Sequence, residues 1–230
     1  MQMTETHRQA LDEVLRWRRD VRHFRTDPLP EPLFTALTAS LAHAPSVGNA
    51  RPWRLLRVRN EALRARVVQI FERANAEAAR DYQDAARAQY LALKLAGLRE
   101  APEHLAVFTE TAPTEGRGLG RASMPQTLEY STAMAIHTLW LVARAHGVGL
   151  GWVSILDPQA MERLFDVPPG WRFTAYLCLG WPEHTDDMPL LHRTGWQENT
   201  DPGWQEARAR HDTSPDAPDT GCSSASASGP

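Results

Sequence analysis

Three arginines surround a single aspartate near the amino terminus, in the run Arg18-Arg19-Asp20-Val21-Arg22. A guanidinium group is a planar fork of N–H donors, and this shape matches the oxygens of a phosphate group. Three guanidinium groups within five residues are more than a surface ion pair needs. The run therefore predicts a binding site for an anionic ligand. Taken alone it also fits an ordinary alternative, a helix carboxyl end carrying cations that the helix dipole attracts.

A second stretch, residues 44–53, reads Ala-Pro-Ser-Val-Gly-Asn-Ala-Arg-Pro-Trp. It joins a predicted helix to an apolar strand through small residues, which would let a flat ligand approach the backbone. Together the two stretches predict a binding site for a planar, anionic ligand.

Other features of the sequence do not predict a site of their own. Gly116, Gly118 and Gly120 stand in a loop over residues 111–126, at a spacing that differs from the dinucleotide-binding pattern. His137 lies in an apolar helix, where a lone histidine is usually a hydrogen-bonded core residue. Since histidines and cysteines do not stand at metal-ligand spacing, the sequence predicts no metal site.

The composition predicts one domain without a nucleic-acid or membrane surface. The chain has 230 residues, is 42% hydrophobic and carries a formal net charge of −3, which suits one sizeable core. The polar amino terminus does not resemble a signal peptide. Cys178 and Cys222 lie in such different surroundings that we expect no disulfide, as in a reducing cytoplasm. We expect a domain over residues 1–204 and a disordered tail over residues 205–230.

Hydrophobic periodicity predicts helices and strands intermixed along the chain, which indicates an α+β or α/β fold. The predicted helices cover about residues 4–19, 31–43, 61–80, 81–98, 130–146 and 158–165. The predicted strands cover about residues 53–59, 104–109, 149–155 and 173–180. The helix at 130–146 is apolar on nearly all sides, so we expect it to be the buried central helix.

Several segments resemble proteins of the flavin-dependent nitroreductase fold. Residues 18–22 with Phe24 resemble the opening flavin motif of that fold, and residues 44–48 followed by 51–53 resemble its second flavin motif. Most nitroreductases carry serine at the position of Asp20, so the aspartate points to one branch, the 5,6-dimethylbenzimidazole synthases or flavin destructases. Further matches to that branch follow in order at residues 90–102, 119–121, 125–126, 130–131, 139–145, 149–155 and 176–180.

The resemblance implies a nitroreductase-like α+β fold, with a central mixed sheet flanked by helices and FMN at the interface of an intertwined homodimer. It implies that reduced FMN is the substrate and is consumed by reaction with dioxygen. The products would be 5,6-dimethylbenzimidazole, the lower ligand of cobalamin, and erythrose 4-phosphate. Reduced flavin itself reacts with oxygen, so the reaction needs no metal. A separate flavin reductase would supply the reduced flavin.

The same resemblance assigns roles to residues. Asp20 and Ser154 are the expected catalytic residues, and Asp20 would take and return protons. Tyr90, Lys94 and Gly97 belong to the expected lid, which would keep water from the reacting flavin and exclude a nicotinamide. The residues expected to contact FMN are Arg18, Arg19, Asp20, Arg22, Pro45, Ser46, Gly48, Leu105, Gly151 and Ser154.

Alternative roles stay open for three of these residues, and alternative functions stay open for the protein. Asp20 could be a structural partner of the arginines, Ser46 an ordinary turn serine, and Ser154 a buried, satisfied serine. An NAD(P)H-dependent nitroreductase or flavin reductase would share the fold, FMN and the dimer but recycle the flavin; Asp20 and the lid segment argue against it. A non-catalytic flavin-binding protein is a third alternative, because residues 49–51 read Asn-Ala-Arg where Phe-Met-Gln is more usual.

Overall fold

The computed structural model describes residues 1–92 and 96–207. It divides into one unit over residues 1–198 and a second over residues 199–230, of which 199–207 are described. The helices are α1 (Glu5–Trp17), α2 (Glu31–Ala39), α3 (Glu61–Ala78), α4 (Asp84–Ala92), α5 (Gly97–Glu100), α6 (Thr127–Ala145), α7 (Pro158–Leu164) and α8 (Leu190–Arg193). The strands are β1 (Trp53–Arg57), β2 (Glu103–Glu110), β3 (Gly149–Val153) and β4 (Trp171–Gly180). The α+β prediction is confirmed, whereas the predicted tail from residue 205 stays a prediction.

The strands form one sheet in the order β1-β2-β4-β3, with every neighbouring pair antiparallel. The mixed sheet expected from the resemblance is therefore wrong for these strands. Among the described residues, parallel pairing occurs at an isolated bridge between Asp20 and Leu150. Successive strands that pair antiparallel need no crossover helix, so the helices are free to cover the two faces of the sheet.

The core lies on both faces of the sheet, as the alternation along β2 requires. Ala106 and Phe108 belong to a cluster that includes residues of α3 and α7. Leu105 and Val107 point to the other face and join a cluster that includes residues of α2 and α6. β2 is buried along nearly its whole length, which makes it the rigid centre of the scaffold.

Helix α6 packs on the sheet with one face and leaves another face open. Its buried residues recur at helical spacing: Leu128, Ser131, Thr132, Ala135, Ile136, Leu139 and Ala143. Tyr130 and Met134 are 52% and 41% exposed, and His137 between the buried rows is also exposed. The expectation of a core histidine at His137 is wrong, because only one stripe of the helix faces the sheet.

Helix α1 is amphipathic, yet none of its residues is buried. Leu11, Leu15 and Trp17 are 52%, 44% and 36% exposed. Tyr130 and Met134 of α6 are exposed as well, so both helices leave apolar side chains uncovered in the single chain.

A neutral polar pair is buried within the sheet. His104 is 1% exposed, and its Nε2 lies 3.1 Å from the carbonyl oxygen of Ala101. A carbonyl only accepts, so Nε2 carries the proton and Nδ1 accepts from the Tyr176 hydroxyl at 2.9 Å. Burial, with a smaller contribution from the nearby cation of Arg64, lowers the pKa of His104 to about 3.

This pair predicts acid sensitivity of the fold. Between pH 6.5 and about 3, His104 binds a proton in the unfolded chain and not in the folded one. The free energy of unfolding should therefore fall as the pH is lowered through this window, by up to about 1.4 kcal/mol per pH unit. Urea denaturation of wild type and His104→Gln at several pH values measures the effect.

The exposed His43 supplies the control, because His43→Gln should keep the wild-type pH dependence. We expect His104→Gln to lose most of the slope that wild type shows below pH 6.5. Equal slopes in wild type and His104→Gln would contradict a neutral buried histidine.

Candidate active site

Residues 18–24 leave α1 as an extended segment that lies between β3 and α5. The Val21 N–H donates to the carbonyl of Leu150 at 3.1 Å, and the Arg22 carbonyl accepts from the Gly97 N–H at 2.8 Å. The Phe24 N–H donates to Glu100 at 3.1 Å, and the Phe24 ring is 4% exposed. The cation-rich run is thus fixed to the scaffold on both sides.

Two glycines permit this close approach. A Cβ at Gly151 would lie 2.2 Å from the carbonyl oxygen of Val21, and a Cβ at Gly97 would lie 2.7 Å from the ring of Phe24. Both distances are too short for any other residue. Gly151 and Gly97, predicted from the resemblance as a flavin contact and a lid residue, therefore also have a packing role.

Asp20 is fixed beside β3 by its own carboxylate. Its Oδ1 accepts from the backbone N–H of Trp152 at 2.9 Å, and its Oδ2 lies 3.4 Å from Nε of Arg22. Burial raises the pKa of Asp20, while the Trp152 N–H and the cations of Arg22 and Arg18 act in the opposite direction. The carboxylate is therefore easier to protonate than an ordinary aspartate, which suits a group that exchanges protons.

A cavity of about 430 Å³ opens in front of this carboxylate. Ser154 lies on it, directly after β3, with an exposed side chain. Within the part of the chain that the structure describes, its hydroxyl has no hydrogen-bond partner, so the alternative of a buried, satisfied serine is wrong. The residues that line the cavity are Asp20, Arg22, Asn75, Tyr90, Trp152, Ser154 and Ile155.

Two further cavities share Asp20 and Arg22 as walls and extend the cleft toward the chain after β4. One has a volume of about 480 Å³ and is lined by Arg18, Arg19, Asp20, Arg22, Pro189, Leu190 and Leu191. The other, of about 560 Å³, adds His23, His184, Asp186, Met188 and Arg193. The three cavities are open to solvent and meet at Asp20 and Arg22, so they form one cleft.

The three arginines of the run have different surroundings. The Arg18 guanidinium lies 4.9 Å from the centre of the Trp140 ring, and the Arg22 side chain is 15% exposed beside Asp20. Arg19 instead donates to the carbonyls of Arg16, Arg18 and Asp187. Arg19 thus caps the end of α1, and its predicted contact with FMN stays a prediction.

Burial and the neighbouring Arg18 cation lower the pKa of Arg19. The guanidinium nevertheless stays charged at neutral pH, because an arginine side chain loses its proton only in strongly alkaline solution. Arg18 and Arg22 together carry more positive charge than Asp20 neutralises. The cleft therefore suits an anion at the end where these two arginines lie.

The second predicted motif forms a tight turn elsewhere on the chain. Ser46 Oγ accepts from the Arg51 N–H at 3.1 Å, and the Val47 N–H donates to Ser131 Oγ at 3.0 Å. Gly48 has a φ of +55°, and its Cβ would lie 2.9 Å from the carbonyl oxygen of Leu119. Pro45, Ser46 and Gly48 do not line the cavities around Asp20, so a single chain does not bring the two motifs together.

Two other predicted residues also lie apart from the cleft. Leu105 is 2% exposed and packs in the cluster between the sheet and α6, so a direct contact between Leu105 and FMN is not compatible with this packing. Lys94 lies outside the described residues. Of the expected lid, Tyr90 lines the cavity with Ser154.

The sequence did not single out several residues of the cleft. Asn75 and Trp152 line the cavity of Asp20, and Pro189 to Leu191 line the arginine end. Asn75 lies one turn before the end of α3, and a polar side chain at a position that faces the cleft was the available signal. In residues 1–92 and 96–207, no group of three metal-ligating side chains comes together, and no helix there is long and apolar enough to cross a membrane.

The chain is similar to known proteins over most of its length. The model of the Nitroreductase family matches residues 15–181. A protein of Rhodobacter capsulatus named 5,6-dimethylbenzimidazole synthase is 59% identical over 205 residues, which cover 89% of this chain and 99% of that protein. A protein of the same name from Rhodospirillum rubrum is 52% identical over 190 residues, covering 83% of this chain and 90% of that protein.

Among solved structures, oxidized iodotyrosine deiodinase bound to FMN and 3-iodo-L-tyrosine has a TM-score of 0.65 at 22% identity. That match covers 88% of this chain and 99% of the deiodinase chain, and it supports the fold. The expectations of family and fold drawn from residues 18–22, 44–48 and 51–53 are thereby confirmed. The chain belongs to the Nitroreductase family, among relatives that carry the name 5,6-dimethylbenzimidazole synthase.

Proposed function

We propose that this protein is a 5,6-dimethylbenzimidazole synthase, which fragments reduced FMN with dioxygen into 5,6-dimethylbenzimidazole and erythrose 4-phosphate. The observation that carries the proposal is the carboxylate of Asp20, which shares one cavity with Arg22 and the free hydroxyl of Ser154. High identity to relatives of that name over nearly their full length supports it.

The cleft fits FMN in charge and size. Arg18 and Arg22 would hold the phosphate and the polar edge of the flavin through charge-assisted hydrogen bonds. The two adjoining cavities are open to solvent, and they would place a ring system beside Ser154 and a chain beside the arginines. Bound reduced FMN supplies the electrons with which dioxygen reacts, and the protein needs no metal for this chemistry.

Asp20 serves as the proton-transfer group in this proposal. Its Oδ1 is held by the Trp152 N–H, which fixes the carboxylate plane and leaves Oδ2 beside Arg22. Its raised pKa brings the protonated and ionised forms closer in free energy, so that one group can accept a proton and later return it.

Ser154 supplies the second polar group of the cavity. Its hydroxyl can both donate and accept, and it is not engaged by other side chains in the described residues. Tyr90 and Trp152 form apolar walls beside it. Walls of this kind exclude water, which would otherwise divert reduced flavin to peroxide formation.

We expect Ser154→Ala to retain FMN binding and to lower formation of 5,6-dimethylbenzimidazole by about 100-fold, a typical effect of losing one positioned proton-transfer group. Product chromatography after single turnovers measures this effect. The exposed hydroxyl of Thr35 on α2 provides the control, and Thr35→Ala should match wild type. Full turnover by Ser154→Ala with bound reduced FMN would remove Ser154 from the mechanism.

A second copy of the chain completes the site in this proposal. The turn with Pro45, Ser46 and Gly48 lies outside the cleft of its own chain, and the apolar faces of α1 and α6 are uncovered. A homodimer that covers these faces would place the turn of one chain near the cleft of the other. Sedimentation velocity should give twice the mass of 25.8 kDa, and a stable monomer with full activity would contradict the shared site.

We also propose that a separate flavin reductase supplies the reduced FMN and that the protein is located in the cytoplasm.

The competing function is that of an NAD(P)H-dependent nitroreductase, which recycles FMN. The test is to follow NAD(P)H oxidation with a nitroaromatic acceptor beside product formation from reduced FMN. We expect slow NAD(P)H oxidation and consumption of flavin, whereas rapid nitroaromatic reduction with intact FMN would favour the nitroreductase.

A further inference from the structure

Three aromatic rings meet at the edge of the catalytic cavity. Tyr82 and Tyr90 stack with their centroids 4.7 Å apart and their planes at 21°. The ring of Trp196 meets Tyr82 edge-on at 5.5 Å and Tyr90 at 6.2 Å. Tyr90 is the member that lines the cavity with Asp20 and Ser154, so the other two rings lie behind a wall of the site.

Trp196 belongs to a segment, residues 183–198, that follows β4 and also reaches the arginine end of the cleft. Asp187 of this segment binds Arg16 at 2.6 Å, and the Trp196 N–H donates to the Leu191 carbonyl at 2.9 Å. Leu190 and Leu191 line the cavity with Arg18 and Arg22. One segment therefore contacts both the anion end and the wall formed by Tyr90.

Tyr90 needs such support because its helix is short. α4 has nine residues, and helices of this length are marginal in water without tertiary packing. Burial, followed by the neighbouring Tyr82, raises the pKa of Tyr90, so the ring stays neutral. Aromatic pairs of this geometry stabilise by about 0.5–1.5 kcal/mol beyond burial, enough to hold one ring in one place.

We propose that Trp196 is a positioning residue of the reaction: it holds Tyr90 in place as the wall that separates reduced flavin from solvent. This inference rests on the proposed function. Without the wall, reduced FMN passes two electrons and two protons to dioxygen, which gives oxidised FMN and hydrogen peroxide. Trp196 thereby determines how much of the flavin is fragmented and how much is merely oxidised.

The first test measures product partition. Reduced FMN is bound anaerobically to wild type, Trp196→Ala, Trp196→Phe and Trp204→Ala, air is admitted, and peroxide and 5,6-dimethylbenzimidazole are quantified. We expect Trp196→Ala to raise the ratio of peroxide to 5,6-dimethylbenzimidazole about tenfold, with affinity for reduced FMN little changed. Trp196→Phe should restore most of the wild-type ratio. Trp204 is 82% exposed, so Trp204→Ala should behave as wild type.

The second test does not depend on activity. Amide hydrogen exchange is measured across α4 and across β2 in the same variants and in Tyr82→Leu. We expect exchange in α4 to be about tenfold faster in Trp196→Ala and in Tyr82→Leu, with β2 unchanged as the sign of an intact core. Unchanged exchange in α4 would overturn the contact between Trp196 and the wall.

The two proposals fail in different ways. If wild type forms 5,6-dimethylbenzimidazole and Trp196→Ala keeps the wild-type ratio, the positioning role is overturned and the proposed function stands. If wild type forms only oxidised FMN and peroxide, the proposed function falls and the positioning role falls with it.

Discussion

Replacing Asp20 by asparagine is expected to leave FMN binding within about threefold of wild type and to reduce formation of 5,6-dimethylbenzimidazole at least about 100-fold. The amide has nearly the shape of the carboxylate, and its oxygen can still accept from the Trp152 N–H that now lies 2.9 Å from Oδ1. It cannot take up a proton. Flavin titration and product chromatography of the same preparation separate binding from chemistry.

Asp27→Asn is the matched control. Asp27 is an exposed aspartate that pairs with Arg25 at 2.8 Å, so the variant changes the same charge outside the cleft. It should retain wild-type product formation. Normal product formation by Asp20→Asn would leave Asp20 as a structural partner of Arg22 and remove it from catalysis.

The pH dependence of the reaction follows from the same carboxylate. The pKa of Asp20 is raised from 3.8 by burial, and a proton acceptor must be ionised before it acts. Product formation should therefore fall as the pH is lowered through the raised pKa, at higher pH than for an exposed aspartate. In the same range the ionised, partly buried carboxylate destabilises the fold, so Asp20→Asn should be relatively more stable at higher pH.

Replacing Gly151 by alanine is the second change with a large expected effect. The added Cβ would lie 2.2 Å from the carbonyl oxygen of Val21. This oxygen belongs to the backbone, so it cannot move away as the end of a flexible side chain could. We expect a loss of about 2–4 kcal/mol in the free energy of unfolding. Displacement of the segment with Asp20 and Arg22 should also weaken FMN binding, which urea denaturation and flavin titration measure.

Gly147→Ala separates steric overlap from the loss of a glycine. Gly147 ends α6 with a φ of +72°, and a Cβ there would meet no atom within 4 Å. The free energy of unfolding of that variant should fall by only about 1 kcal/mol, because of backbone strain. Its affinity for FMN should stay unchanged. Equal losses in the two variants would show that the contact between Gly151 and Val21 is not what fixes the cleft.

The sheet could be predicted closely from the sequence because apolar runs bounded by Gly and Pro mark buried strands. Phe173 to Gly180 lies within β4, and His104 to Thr109 lies within β2. The direction of pairing was not available in the same way, since it depends on how distant segments meet. The expected mixed sheet therefore gave way to an antiparallel one.

The sequence indicated which residue types form the candidate site, but not where each of their side chains points. Asp20, Arg22 and Ser154 line one cavity, while their contacts with FMN stay a prediction. Arg19 could not be separated from its neighbours by spacing, because only the structure shows that its guanidinium caps the carbonyls at the end of α1. Leu105 stands on an alternating strand, and the face it occupies depends on the register of β2.

Contacts between distant parts of the chain also could not be predicted. His137 was expected in the core because α6 is apolar on most sides, yet the sheet covers only one stripe of that helix. Trp196 lies more than 100 residues from Tyr82 and Tyr90 in sequence, and no periodicity links them. The sequence therefore indicated Tyr90 as part of the site but not the ring that supports it.

The most direct test of the proposed function is a single turnover of wild type with reduced FMN. The protein is loaded anaerobically with FMN that a separate flavin reductase has reduced, air is admitted, and the products are separated by chromatography. The proposed function predicts a peak of 5,6-dimethylbenzimidazole that is absent when Asp20→Asn is treated in the same way. Recovery of all the flavin as intact oxidised FMN, with an equal amount of peroxide, would contradict it.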